Sequence, residues 1–192
     1  MTDSLTIRLV HPEDYSGILD IYAPYIQHTA ISFEYDVPSF DDFSRRIEEV
    51  IAFHPWLIAA IKDQIIGYAY AGKHRTRKAY QWSVESSVYI AADYHGRGIG
   101  KVLYQALFQV LRLQGIINVY AGITLPNIKS ESFHTAMGFT PVGIYHAVGY
   151  KFEEWHDVLW MEMSLHHHTN LPPAPRSWHE IEKTDDFQKI FE

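Results

Sequence analysis

The chain contains no cysteine, which excludes disulfides, thiolate-ligated metal sites and a cysteine nucleophile. It also lacks long hydrophobic runs. No stretch approaches the roughly 18 uncharged apolar residues of a membrane span, and the opening Met1-Thr2-Asp3-Ser4-Leu5-Thr6 has neither the charged nor the apolar region of a signal peptide. These absences predict a cytoplasmic protein that does not engage a membrane. Positive charge is scarce: 16 Lys and Arg stand against 23 Asp and Glu, and the net charge of −7 leaves no electrostatic footprint for nucleic acid. A small-molecule ligand is the better expectation. What is present is globular in kind, since 47% hydrophobic and 20% charged residues exclude a disordered or fibrous chain. The 192 residues correspond to one domain, a domain commonly taking about 100 to 200.

Periodicity predicts an alternation of elements. Ile7, Leu9 and Val10 form a short apolar run, and His11-Pro12-Glu13-Asp14 reads as a turn into a helix carrying Ile18, Leu19, Ile21, Tyr22 and Tyr25 at helical spacing. A loop over 27–38 leads to Ser39, a suitable cap for a helix with Asp41 and Asp42 in its first turn and Phe43, Ile47, Val50 and Ile51 on one face. Residues 56–61 and 65–71 read as an antiparallel pair turning at Asp63-Gln64, because β-branched and aromatic residues fill both. Further strands are expected over 80–90, 119–123, 140–148 and 155–165, with helices over 98–114 and 130–137. This is an α/β or α+β order around a mixed sheet. Three prolines within 169–175 predict a linker, after which 177–192 either docks as a short helix or frays, so the domain proper is expected over 1–168 and a linker and tail over 169–192.

The stretch richest in chemistry is Val88-Tyr89-Ile90-Ala91-Ala92-Asp93-Tyr94-His95-Gly96-Arg97-Gly98-Ile99-Gly100, a strand, a glycine-rich turn and the start of a helix at Lys101. Glycines let ligand phosphates approach the backbone, and free N–H groups at a helix N-terminus point at them. Two phosphate motifs are rejected. A P-loop needs Ser or Thr after Gly-Lys, where this chain has Val102, and a dinucleotide fingerprint needs Gly-x-Gly-x-x-Gly early in a βαβ unit, whereas the spacing here is Gly-x-Gly-x-Gly at mid-chain. Neither His-Glu-x-x-His nor an EF-hand pattern occurs, so no metal site is expected, and no serine nucleophile elbow is present.

The glycine segment resembles the acetyl-coenzyme A loop of the GNAT superfamily of N-acetyltransferases, whose pattern is Arg or Gln, two residues, Gly, one residue, then Gly or Ala. His95 departs from the usual first residue. Asn127 and His134-Thr135-Ala136-Met137-Gly138-Phe139 follow in the family's order, and the resemblance spans residues 7–165. It sharpens towards the phosphinothricin and methionine sulfoximine acetyltransferases through Ile31-Ser32-Phe33-Glu34, Pro55-Trp56-Leu57, Ala79-Tyr80, Glu85-Ser86-Ser87-Val88-Tyr89-Ile90, Gly122-Ile123-Thr124-Leu125-Pro126-Asn127 and Trp155-His156-Asp157-Val158, among other segments. The resemblance implies a mixed, mostly antiparallel sheet flanked by helices, a homodimer, and acetyl-CoA as cosubstrate. It places the cosubstrate on Val88, Tyr89, Ile90, His95, Gly96, Arg97, Gly98, Ile99, Gly100, Lys101 and Asn127.

Acetyl transfer to an amine requires a neutral nitrogen, so a base must remove a proton. Glu85 matches the family's proposed base, against the plainer reading of a solvated strand carboxylate. His134 stands where many GNAT enzymes have a tyrosine that protonates the departing thiolate; the alternative is a helix histidine bonded to backbone near the core. His156 is a lesser candidate. Residues 73–78 carry five basic side chains counting His74, and Arg75, Arg77 and Lys78 could hold the acidic groups of a small acceptor, with Phe33 as a substrate-side aromatic. The expected function is therefore transfer of acetyl to the amine of a small amino-acid-like acceptor such as phosphinothricin or methionine sulfoximine. Another small amine acceptor, or a catalytically silent coenzyme A-binding regulator, are the alternatives.

Overall fold

One seven-stranded sheet runs through the computed structural model, which describes residues 4–62 and 64–192. Its strands are β1 (Leu5–Leu9), β2 (Trp56–Ile61), β3 (Gln64–Lys73), β4 (Ser83–Ile90), β5 (Asn118–Thr124), β6 (Thr140–Lys151) and β7 (Glu154–Ser164), in the spatial order β1-β2-β3-β4-β5-β7-β6. Every neighbouring pair is antiparallel except β4 and β5. A parallel pair needs a crossover, and helix α3 (Ile99–Gln114) supplies it. The parallel pairing covers Ser83↔Asn118, Val84↔Val119 and Glu85↔Tyr120 and then stops, while β4 continues beside β3 to Ile90 and β5 beside β7 to Thr124. The sheet therefore forks after Glu85.

Helices cover both faces. α1 (Tyr15–His28) and α2 (Phe40–Ile51) pack with Trp56, Ile58 and Tyr68, and α3 packs with Leu57, Ala59, Ala69, Ala71 and Val84 on the opposite face. Strand β2 is apolar throughout because its alternate side chains enter different cores. Ile66 breaks the alternation of β3: Ile65 pairs with Ala60 and Gly67 with Ala59, leaving Ile66 as the bulged residue that enters the α3 core. The Ser39 side chain caps α2 as its sequence suggests, accepting from the Asp42 N–H at 3.1 Å, a contact worth about 1 kcal/mol.

Several boundaries differ from expectation for local reasons. β4 starts at Ser83, because Lys78–Tyr80 turn as a 3-10 segment and the Trp82 carbonyl accepts from the Ile117 and Asn118 N–H groups. Gln64 already belongs to β3; Asp63 of the expected turn lies outside the described residues, as do Met1, Thr2 and Asp3. Asp14 does not complement the dipole of α1 but binds Arg8 through both carboxylate oxygens, at 2.6 and 2.8 Å, and accepts from the His11 N–H. The β6–β7 hairpin is longer than its apolar pattern suggests. Of the two outcomes left open for the tail, docking is observed. Ile181 in α5 (Trp178–Ile181) and Phe187 in α6 (Asp185–Gln188) bury against Val110. The Trp178 indole donates to the Ile51 carbonyl at 2.7 Å, Trp82 to Pro173 at 2.7 Å, and Gln114 bridges the Phe53 and Arg176 carbonyls.

His54 follows α2, with its N–H donating to the Val50 carbonyl and its ring 4% exposed. Its Nδ1 has no hydrogen-bond partner among the described residues. Burial, reinforced by the charge of Lys73, pushes its pKa down from 6.5 to about 4. Below pH 6.5 the unfolded chain takes up a proton here that the folded chain refuses until about pH 4. The contribution is thus complete above pH 6.5 and lost as pH falls, reaching about 3 kcal/mol by pH 4 at ~1.4 kcal/mol per unit. Urea unfolding at pH 7 and pH 5 is expected to show a smaller acid-induced loss in His54→Leu than in the unsubstituted protein. Equal losses in both would show that the buried ring does not couple folding to protons.

Candidate active site

At the end of β4 the chain makes a 3-10 turn, Ala92–Tyr94, and then the glycine loop, in which Gly96 and Gly98 have φ values of +74° and +80°. Gly98 is the N-cap of α3, and no side chain caps that helix. The Lys101 N–H donates to the Gly98 carbonyl at 3.0 Å, while those of Ile99 and Gly100 are left open, with the positive end of a 16-residue helix behind them. A Cβ at Gly98 would meet nothing within 4 Å, so the demand for glycine there is conformational; Gly100 has ordinary backbone and lies close to the Phe133 ring and Val88. His95 does not project freely. Its Nε2 lies 2.9 Å from both the Ile90 carbonyl and the Tyr25 hydroxyl, which itself donates to that carbonyl at 2.6 Å. The Arg97 guanidinium lies 4.8 Å over the Tyr94 ring, and Lys101 is exposed on the first turn of α3.

Past the fork, Val88 and Ile90 pack towards the α3 core, while Tyr89 joins the aromatic group of Tyr22, Tyr25 and Tyr68 on the other face. Asn127 caps α4 (Ile128–Ala136), its Oδ1 accepting from the Ser130 N–H at 3.1 Å. That bond uses one of the oxygen's two lone pairs, and the amide nitrogen of the side chain makes no hydrogen bond among the described residues.

Glu85 is the last residue before the fork, and its carboxylate is held from one side. His74 Nδ1 lies 2.8 Å and Arg75 Nη1 3.2 Å from the same oxygen, Oε1. The sequence reading counted His74 only as part of a basic run. Strand register was the available signal, because Gly72 pairs with Glu85 and places His74 diagonally beside it on the same face. The expected clamp of Arg75 and Arg77 needs revision: Arg75 is engaged with Glu85, so the two arginines do not form a free pair. They still share a cavity of about 250 Å³ with Lys73 and Lys78, lined also by Phe53, His54, Ser83 and Pro175 and by no acidic residue.

His134 is corrected more strongly. Only 6% exposed, it packs among Tyr104, Phe133 and Phe139. Its Nδ1 donates to the Ser130 carbonyl at 2.8 Å, so Nε2 accepts from the Tyr104 hydroxyl at 3.2 Å, and that hydroxyl in turn accepts from Ser86 at 3.3 Å. Burial lowers its pKa. A neutral ring whose single proton is bound to backbone is no ready acid at neutral pH; His134 instead fixes the Ser86 and Tyr104 hydroxyls at the fork. These two residues were not singled out from sequence.

Phe33 lies 6.1 Å from the His156 ring, centroid to centroid, at a position that requires Gly149: a Cβ there would fall 2.2 Å from the Phe33 ring. The loop carrying Phe33 is tied down by Lys151, a residue 3% exposed whose Nζ donates to the carbonyls of Ile26, Thr29 and Ser32 at 2.7, 2.9 and 2.7 Å. His156 donates from Nε2 to the Lys151 carbonyl, which places it in the support of this loop.

This assembly has close counterparts. The phosphinothricin N-acetyltransferase of Streptomyces viridochromogenes is 34% identical over 170 residues, covering 88% of this chain and 91% of that one. The L-methionine sulfoximine/L-methionine sulfone acetyltransferase of Salmonella typhimurium is 30% identical over 165 residues, covering 85% and 96%. The crystal structure of a GNAT superfamily phosphinothricin acetyltransferase from Sinorhizobium meliloti, in complex with AcCoA, superposes with a TM-score of 0.84 at 30% identity over 88% of this chain and 93% of that one. Among the described residues no helix is long and apolar enough to cross a membrane, and no group of three or more His, Cys, Asp or Glu could hold a metal ion. With the acetyltransferase (GNAT) domain family matching residues 7–160, from β1 through the fork and glycine loop into β7, the chain belongs to the GNAT acetyltransferases.

Proposed function

We propose that the chain transfers acetyl from acetyl-CoA to the amine of a small amino-acid-like acceptor of the phosphinothricin or methionine sulfoximine type. The observation that carries this reading is Glu85 at the last paired position of a forked sheet, with an uncapped glycine loop at the far end of the same strand. Open N–H groups of α3 and the φ of +80° at Gly98 suit a pyrophosphate. The unpaired side of β4 beyond Glu85 suits an extended chain that bonds to backbone. Glu85 is the base that readies the amine, as the resemblance implies. The nitrogen lone pair attacks the thioester carbon, a C–N bond forms, the C–S bond breaks and its electron pair leaves on sulfur. Lys73, Arg77 and Lys78, lining with the Glu85-bound Arg75 one cavity that contains no acidic residue, favour an acceptor that carries an acid group beside its amine.

A homodimer accompanies this reading. β6 is an edge strand, and Val142, Ile144, Tyr145, Val148 and Tyr150 along it are 43 to 55% exposed. An apolar edge of this kind is ordinarily covered.

Thiol release with phosphinothricin, methionine sulfoximine and spermidine tests the acceptor class; turnover of spermidine alone would overturn it. Glu85→Gln is expected to lower turnover by roughly 10²- to 10⁴-fold with acetyl-CoA affinity unchanged, and near-normal turnover would remove Glu85 from the reaction. For Gly98→Val, an L-residue forced into left-handed backbone at about 1 to 2 kcal/mol should weaken acetyl-CoA binding about tenfold or more by calorimetry. A folded variant with unaltered affinity would refute the role of the loop. Light scattering at micromolar concentration should give twice the 22.3 kDa chain mass, and a single-chain mass would refute the dimer.

A further inference from the structure

His74 directly follows β3, and its N–H donates to the Ser83 carbonyl at 3.3 Å, continuing the β3–β4 ladder by one residue. Its ring lies across the face that carries Glu85. It stacks on Tyr120 at 4.5 Å and 23°, and meets Trp160 and Tyr80 edge-on at 6.0 Å each. Three aromatic walls fix the ring, and its side chain is 15% exposed. Because a carboxylate only accepts, Nδ1, 2.8 Å from Glu85 Oε1, must carry the proton. Arg75 donates to that same oxygen and to the His74 carbonyl, so neither the ring nor the carboxylate can turn away without breaking a charge-assisted bond. Nε2 makes no hydrogen bond among the described residues and is not among the buried unpartnered atoms. The result is a fixed imidazole with a partially open lone pair, backed by a carboxylate.

We propose that His74 and Glu85 act as a dyad in which His74 Nε2 takes the proton from the acceptor ammonium while Glu85 holds Nδ1–H and stabilises the imidazolium. This rests on the reading of Glu85 as the base and assigns the proton-accepting atom within it. Two protons leave the ammonium over the whole reaction. The first passes to Nε2 and from there to solvent; the second leaves the nitrogen after attack and ends on the departing sulfur. An imidazole is better matched to this task near neutral pH than a carboxylate, whose ordinary pKa is about 4.3 against about 6.5 for histidine. The groups facing the ring are Glu85 from β4, Arg75 beside it, Tyr80 from the 3-10 segment and Tyr120 from β5. Burial, with Glu162 nearby, raises the Tyr120 pKa, so it stays neutral over the working range.

The test compares His74→Phe, which retains an aromatic ring in the same packing, with Glu85→Gln. His74→Phe should leave acetyl-CoA affinity and the melting temperature near their original values. It should cut turnover by about 10²-fold or more and abolish the acidic limb of the pH profile of kcat/KM. In the unsubstituted protein, nitrogen-detected NMR of the neutral His74 ring should show its proton on Nδ1, the tautomer that leaves Nε2 free to accept. Turnover within threefold of the original with an unchanged limb in His74→Phe, or a neutral ring protonated on Nε2 instead, would overturn the dyad and leave Glu85 acting alone. Loss of activity in His74→Phe with normal activity in Glu85→Gln would overturn the partnership, and normal activity in both would overturn the reading of Glu85 itself. Should His74→Phe not fold, the tautomer seen by NMR decides.

Discussion

The fork between β4 and β5 is the constraint on which the remaining structure depends. Three parallel pairs hold the strands together, and after Glu85 each strand keeps a single neighbour. Backbone groups that would have completed the ladder are left for something other than protein, at a place walled by Val88 and the α3 core on one side and by Tyr89 and Tyr68 on the other. The crossover through α3 follows from the same parallel pairing. It sends the chain from the tip of β4 through a glycine turn and aims the helix N-terminus along the opening. Glu85 and the glycine loop thereby lie towards opposite ends of one short strand, and their separation is a fixed property of the sheet.

Around the fork, buried polar groups are satisfied in ways that immobilise the neighbours of the opening. Ser86, Tyr104, His134 and the Ser130 carbonyl form a hydrogen-bonded chain. Lys151 gives all three of its protons to carbonyls at the end of α1 and the loop that follows, holding Phe33 over Gly149. A buried ammonium without a carboxylate is costly unless its donors are all used, and here they are. The same three bonds fix the loop to the β6–β7 hairpin, so the two segments that can approach an acceptor from above the sheet move together.

What was legible in the sequence was local. Ser39 and Gly98 announce helix starts because a cap or a left-handed residue is decided by a few neighbouring bonds. β2 shows as an unbroken apolar run because both of its faces are buried. The glycine loop and Glu85 were reached through resemblance in pattern, which conveys position and leaves surroundings open. What escaped depends on residues distant in the chain. The His134 ring is kept neutral by burial, and its Nε2 is taken by Tyr104, thirty positions away. Arg75 is drawn to Glu85 by the β3–β4 pairing, and His74 turns towards the same carboxylate because Tyr120 and Trp160 receive its ring. The tail docks because Val110 on α3 offers a site that no local pattern within 177–192 reveals.

On the proposed function, charge gives the site its selectivity against the trend of the chain. With a net charge of −7, the molecule repels anions at long range, but at physiological salt that field is screened beyond about 8 Å. Within that distance Lys73, Arg75, Arg77 and Lys78 dominate, and none of the residues lining their cavity is acidic. Arg75 belongs both to this cavity and to the Glu85 carboxylate, so the cationic and anionic halves of the site meet at one guanidinium. A ligand with an acid group and an ammonium a few bonds apart satisfies both halves at once. A ligand with one charge type leaves the other half facing a like charge or none. Arg75 also bears on the proposed chemistry: it donates to Oε1, the oxygen that faces His74 Nδ1, so the same side chain that lines the anion cavity fixes the carboxylate behind the imidazole. Recognition of the acid group and preparation of the amine are thus coupled through one side chain.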